Sequence, residues 1–313
     1  PLEEIVALYN SKDNDSKLSS TEMKDASDLG LVKIDILGNR SLAVVRDTLR
    51  AINERHGIAI DYQTWNPIAD PRAQRLIATG NTMGCFHIES PAMRRLLKKA
   101  GRSNFATLVA LLSLIRPAAN KYIDMYLERL HGKAYTPLHP LLADVLNETY
   151  GIMVYQEDVS KTAIALAGFS VEEGDELRKV LTQKHAKKKL EDFRERFFQG
   201  SRERGVESEC IQSAWKMISN FSSYSFCKPH SASYAMLSYK CAWLKAHHPA
   251  AFMAAVISNQ GGYYSTQAYL SECRRLGLRI LPPEINNSEW RYTGTQNWVR
   301  VGLMQLQSIK KDS

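Results

Sequence analysis

Helix punctuation recurs along this chain and limits it to short, frequently interrupted helices. Asp70-Pro71 sets an N-cap beside a first-turn proline, and Gly80 closes the segment. Ser90-Pro91 repeats the device, with Lys98 and Lys99 in the last turn and Gly101 behind them. Ser170-Val-Glu-Glu173 has capping-box spacing directly after Gly168 and leads into a long charged stretch reaching Arg204. Further helices are expected at about Ser41–Glu54, from Ser103 to Arg116 (where Pro117 forces a stop), at about Ser231–His247, and from Pro249 to about Asn259. Strand signals are few. Leu31–Leu37 alternates with period 2, Gly84–Glu89 reads as a short strand, and Trp290, Tyr292 and Trp298–Val301 read as a small hairpin. A mainly α fold with short β elements (α+β) follows.

The 313 residues are 44% hydrophobic, enough for one large domain or two smaller ones. Lys+Arg 41 against Asp+Glu 33 leaves a net charge of +8, which fits an anionic partner such as nucleic acid. Cys85, Cys210, Cys227, Cys241 and Cys273 are odd in number and scattered, so reduced thiols are expected in place of a disulfide framework. The apolar runs Leu108–Ile115 and Ala250–Ile257 are too short to cross a bilayer, and a cytoplasmic protein without a membrane partner is expected. Opening at Pro1 without an initiator methionine reads as a piece of a longer protein.

Several groups could carry chemistry. Asp35 and Lys33 share one face of the alternating segment that ends at Gly38; a strand-borne carboxylate can hold a metal, and it can equally be half of a surface ion pair. In Met93–Lys99, Arg94/Lys98 and Arg95/Lys99 are like-charged i,i+4 pairs, which an anionic backbone alongside would relieve; a solvated face is the alternative. Leu177–Lys189 gathers Arg178, Lys179, Lys184 and three consecutive lysines without acidic compensation inside the run, which favours phosphate contact. Lys228, His230 and Tyr234 cluster where a helix begins, a place suited to phosphate and to stacking. Cys227, His230, Cys241 and His247 or His248 are zinc-type ligands, but their spacing fits no finger or ribbon, and core thiols are the simpler reading. His87 and Glu89 are either catalytic or a hydrogen-bonded structural pair.

At these residues the chain resembles the C-family bacterial replicative polymerases, the family of the DNA polymerase III alpha subunit. The matching stretches are Gly30–Gly38, Met83–Ser90 with Met93–Leu97, Leu108–Leu112 with Arg116-Pro117, Tyr150–Glu157, Ala167–Ser170 with Leu177–Lys179, Lys228–Tyr234, Trp243–His247 and Leu281–Asn286. The resemblance implies a palm remnant over 1–56 with a strand at 31–37, helical fingers over 57–265, and the end of the fingers with a small β element over 266–313. It implies that Asp35 is a catalytic, magnesium-binding aspartate. Lys33, Arg178, Lys179, Lys184, Lys228, His230 and Tyr234 would bind the incoming dNTP. Arg94, Arg95 and Arg116 would touch primer-template DNA, and other replisome subunits would bind through regions outside this chain. The implied reaction is two-metal nucleotidyl transfer with Mg2+.

Asn39, Lys179, Cys227 and Pro229 depart from the family's usual residues, as a variant subgroup would. The family's other two metal-binding aspartates have no counterpart before Leu31, so the chain alone is expected to be inactive as a polymerase. A non-catalytic nucleic-acid-binding helical module and a protein-interaction scaffold with a basic face are the rival readings.

Overall fold

The computed structural model describes residues 2–32, 34, 38–116, 119–181, 183, 186–221, 226–307 and 309. Contacts divide the chain into two units, Pro1–Asn39 and Arg40–Ser313. In the first, β1 (Leu8–Asn10) pairs antiparallel with β2 (Lys17–Ser19), and α1 (Met23–Asp28) follows. The expected strand at 31–37 falls partly outside the described residues, which omit Lys33, Asp35, Ile36 and Leu37. Leu31, Val32 and Ile34 show no strand pairing, and Val32 and Ile34 are exposed.

The second unit is mainly helical, as the punctuation requires. α2 (Arg40–His56) packs on α12 (Pro249–Asn259). α3 (Pro71–Ala78) begins where the Asp70 carboxylate accepts the Ala73 N–H at 2.7 Å, and α4 (Pro91–Ala100) where Ser90 Oγ accepts from Met93 N. Gly101, at φ 60°, closes α4 in the left-handed conformation that glycine adopts most easily. α5 (Phe105–Leu114) is capped by Asn104, one residue later than expected, and is buried nearly all round. α6 (Asn120–Leu130), α11 (Lys228–His247) and α13 (Thr266–Arg275) complete this half with α2, α3, α4, α5 and α12, around a core that includes Leu97, Leu111, Tyr126, Tyr239 and Phe252.

A second core unites α7 (Gln156–Ala167), α8 (Val171–Leu181), α9 (Lys187–Glu203) and α10 (Ser208–Phe221) through Leu166, Leu177, Phe193, Phe197 and Trp215. The capping box opening α8 is reciprocal: Ser170 N donates to Glu173 Oε2 at 2.8 Å, and Glu173 N donates to Ser170 Oγ at 3.2 Å. Near the C-terminus β3 (Arg279–Leu281) runs parallel to β5 (Trp298–Arg300), which pairs antiparallel with β4 (Thr293–Thr295). The expected hairpin is therefore β4–β5, joined by a third strand.

One expected element is absent. Residues 84–89 form turns, not a strand. Gly84 (φ 85°) and His87 (φ 62°) take left-handed backbone that breaks the alternation, and side chains satisfy the loop's polar groups where a β ladder would have done so.

Candidate functional site

The two cores meet where α5 ends and where α7 and α11 begin, and most of the described candidate residues converge there. Gln156, first in α7, donates its backbone N–H to Phe226 O at 2.9 Å; its side-chain oxygen accepts from Arg178 Nη1 of α8 at 3.1 Å. Phe226 in turn carries the Arg116 guanidinium 4.4 Å from its ring centroid and the His230 ring at 4.9 Å. His230 lies 4.1 Å from Tyr234, and Tyr234 lies 4.7 Å from His87 and 5.1 Å from Phe86. A continuous track of cations and aromatic faces results, from Arg178 through Arg116 and His230 to Tyr234 and His87.

Local sequence explains the placement. Pro229 sits in the first turn of α11, where a missing N–H costs nothing, and the Lys228 N–H is taken by Glu157 Oε2 at 3.1 Å. The first two turns of α11 carry Lys228, His230 and Tyr234, while Ser231 faces inward to Ser113 Oγ of α5 at 2.7 Å. Asp158 anchors the start of α7 by accepting the Val154 and Tyr155 N–H groups at 2.9 and 2.8 Å. Burial pushes its carboxyl up to about 6 despite those bonds.

Electrostatically the track is less bare than its sequence implies. Arg178 and Lys179 both contact Asp175, at 2.6 and 2.8 Å, and Lys189 and Arg196 of α9 pair with Glu176 and Glu173 of α8. The run expected to be uncompensated is thus balanced by acids lying just ahead of it, one turn away on the helix or across to α9. Hydrogen bonds from Lys179 and then Arg178 hold Asp175 below its ordinary range. Lys228 Nζ meets Glu148 at 2.5 Å and stands 5.2 Å from the Tyr155 ring centroid. Arg116 Nε and Tyr155 OH are buried without a hydrogen-bond partner among the described residues. Desolvation, followed by the charges of His230 and Arg116, lowers the His87 pKa and favours neutral imidazole.

Other candidates lie elsewhere. Arg94 is engaged in packing, donating from Nε to Gly80 O at 2.9 Å and from Nη1 to Tyr264 OH at 3.3 Å. Arg95, Lys98 and Lys99 are exposed on α4. Glu89 is structural: its carboxylate accepts from Gly84 N, Tyr263 N and Tyr269 OH, and His87 is not among those partners. Cys241 is buried in the core, and no trio of His, Cys, Asp or Glu suited to a metal exists among the described residues. Lys33, Asp35 and Lys184 lie outside those residues. Reading the sequence missed Gln156, Phe226 and the buried Lys245. Gln156 was legible only as the first residue after Tyr155, and Lys245, directly behind the largely apolar Leu237–Leu244 stretch, carried no sign that set it apart from the exposed lysines.

Fold and track together define a mainly helical module with a line of cations and aromatic rings where its two cores meet. Among the described residues no helix is long and apolar enough to cross a membrane. The chain belongs to the family described as bacterial DNA polymerase III alpha subunit finger domain, whose profile matches residues 41–205. It is 37% identical over its whole length to the DNA polymerase III subunit alpha of Aquifex aeolicus (strain VF5), covering 27% of that protein. It is 36% identical over 91% of its length to that of Neisseria meningitidis serogroup A, covering 25%, and 33% identical over 99% to that of Thermus aquaticus, covering 26%. The chain thus spans about a quarter of the length of these relatives.

Proposed function

We propose that this chain supplies the fingers surface of a DNA-directed DNA polymerase, holding the triphosphate of an incoming dNTP in a groove along this line and the backbone of primer-template DNA beside it. The observation that carries this is the convergence of Arg178, Lys228, Arg116, His230 and Tyr234 at the junction of the two cores. Their present carboxylate partners do not oppose it. Exposed ion pairs contribute only about 0–1 kcal/mol, so a polyvalent phosphate displaces Asp175 and Glu148 at small cost. Lys179 adds charge without the forked geometry of arginine, and Lys184 belongs to the same nucleotide surface. Arg95, joined by Lys98 and Lys99, is better placed than Arg94 for DNA, since Arg94 is committed to packing; Arg116 lies close enough to the groove to serve either ligand.

In this reading Asp35 keeps the Mg2+-binding role and Lys33 the dNTP-binding role that the resemblance implies, with 1–56 as palm remnant, 57–265 as fingers and 266–313 as the end of the fingers. Mg2+, when bound, neutralises charge on the reacting phosphates. This chain's own residues bind and orient the triphosphate. A single family aspartate cannot hold two metal ions, so the chain alone is inactive, and the other replisome contacts lie outside it. Cytoplasmic residence in a bacterium follows from the same reading.

Two measurements test it. Arg178→Ala and Lys228→Ala should each weaken dNTP binding about tenfold while leaving salt-sensitive DNA binding intact. Equal loss of both ligands supports a plain nucleic-acid-binding module instead, and no DNA affinity at all supports a protein-interaction scaffold. Primer extension by the pure chain with Mg2+ and four dNTPs should give no product; product would overturn the inactivity proposed for the chain alone.

A further inference from the structure

Side chains fix the loop from Gly80 to Glu89 at nearly every turn. Arg94 Nε donates to Gly80 O, and Lys245 Nζ donates to Asn81 O at 2.8 Å and Met83 O at 2.7 Å. Thr82 Oγ1 donates to Ile88 O, Ser238 Oγ to Phe86 O at 2.9 Å, and Tyr264 OH to Glu89 O at 3.0 Å. Glu89 accepts the Gly84 N–H at 2.8 Å. Lys245 is fully buried and ion-paired to Glu272 at 2.6 Å, so the frame is rigid.

Within this frame His87 is anomalous. Its φ of 62° is a conformation that side-chain-bearing residues rarely adopt and that glycine takes freely. The residue is exposed, and its imidazole packs against the Phe86 and Tyr234 rings without joining the hydrogen bonds that hold the loop. Strain kept at a rigid, exposed position points to use of the side chain. The ring lines a cleft of about 330 Å3 with Ser41, Gly84, Glu89, Gly262 and Tyr263, and it stands at the end of the aromatic track opposite to Arg178. That volume lies at the small end of ligand sites, enough for part of a nucleotide. A neutral imidazole, favoured here, is a poor phosphate ligand but can both donate and accept a hydrogen bond.

We infer that His87 is a specificity-determining residue that hydrogen-bonds the uncharged sugar or base of the nucleotide whose triphosphate occupies the groove, with Lys245 as the buried residue that positions its loop. This rests on the groove reading given above.

The test titrates the chain, in Mg2+, with dATP and with inorganic tripolyphosphate by calorimetry. Wild type should prefer dATP. His87→Gly should lower that preference about tenfold, the worth of one hydrogen bond, and leave tripolyphosphate affinity unchanged. It should also raise the thermal midpoint, because glycine relieves the positive φ. His87→Ala should lose the same preference without the gain in midpoint. Arg178→Ala should weaken both ligands. If His87→Gly keeps the preference while Arg178→Ala weakens both ligands, the inference falls and the groove reading stands. A lowered midpoint in His87→Gly marks a structural residue and also overturns the inference. If wild type binds neither ligand, the groove reading falls and takes this inference with it.

Discussion

At the scale of single residues, burial decides what a charge is for. Lys245 and Glu272 are both almost fully buried, and Lys245 spends its other donors on the carbonyls of Asn81 and Met83. Glu272 is shared with Arg275 Nε at 2.6 Å. Lys245→Met removes the cation, leaves a buried carboxylate half-compensated and orphans two carbonyls, so it should destabilise the fold by about 3–5 kcal/mol in urea unfolding. Adding Glu272→Met should recover part of that loss, because the stranded charge goes too. A double variant no more stable than Lys245→Met would show that the carbonyl contacts dominate. Such roles were hard to read in sequence. The lysine count gives no sign that Lys245 is buried while Lys98 is exposed, and the pairing of Arg178 and Lys179 with Asp175 depended on acids just upstream of the run read as basic. Lys228, His230 and Tyr234 were legible because they fall within two turns of one helix, which keeps them near one another whatever surrounds it. Arg116 and Phe226, over one hundred positions apart in the chain, had no local signal linking them.

At the scale of elements, close backbone approach reverses ordinary propensity. Gly200 lies inside α9, where alanine would normally be favoured by about 1 kcal/mol. A Cβ at Gly200 would stand 2.2 Å from Ala167 O of α7, against rigid backbone. Gly200→Ala should therefore lower stability by about 2 kcal/mol or more, with α9 displaced from α7; thermal unfolding gives the sign directly, and a stabilised variant would refute the contact. Ser170→Ala, losing one arm of the reciprocal cap on α8, should cost about 1 kcal/mol in the same assay. The helices were legible because their start and stop signals act within a few residues: Asp70, Ser90, Ser170 and Pro249 each mark a true boundary. Gly84–Glu89 misled because alternation records only which side chains are apolar. The bonds that hold this segment come from Ser238 and Tyr264, with Lys245 fixing the approach at Asn81 and Met83, all far along the chain.

At the scale of the whole molecule, acid sensitivity comes from groups acting in opposite directions. His248 joins α11 to α12, and burial, then the charges of His247 and His56, lower its pKa; His87 is lowered as well. Unfolded histidine titrates near 6.5, so below that pH the unfolded chain takes up protons that the folded chain refuses. Stability from these two groups is complete above about pH 6.5 and is lost as pH falls through their depressed folded values. Asp158 runs the other way. Its carboxyl titrates at about 6 when folded and near 3.9 when unfolded, so the folded state holds the extra proton between those values. Asp158 therefore favours folding at acid pH and loses that contribution as pH rises toward 7. Asp158→Asn keeps an oxygen for the Val154 and Tyr155 N–H groups while removing the titration. Relative to this variant, wild type should lose about 2–3 kcal/mol between pH 4 and 7. Relative to His248→Gln, wild type should instead lose stability from pH 7 down to 5, since the variant no longer has the unfavourable protonation. Urea unfolding at pH 4.5, 6 and 7.5 reads both slopes in one series. Parallel curves for wild type and Asp158→Asn would mean that the two backbone N–H bonds offset burial and keep the carboxylate ionised. In that case the start of α7, and with it Gln156 at the centre of the groove, is held by a charged cap across the whole neutral range.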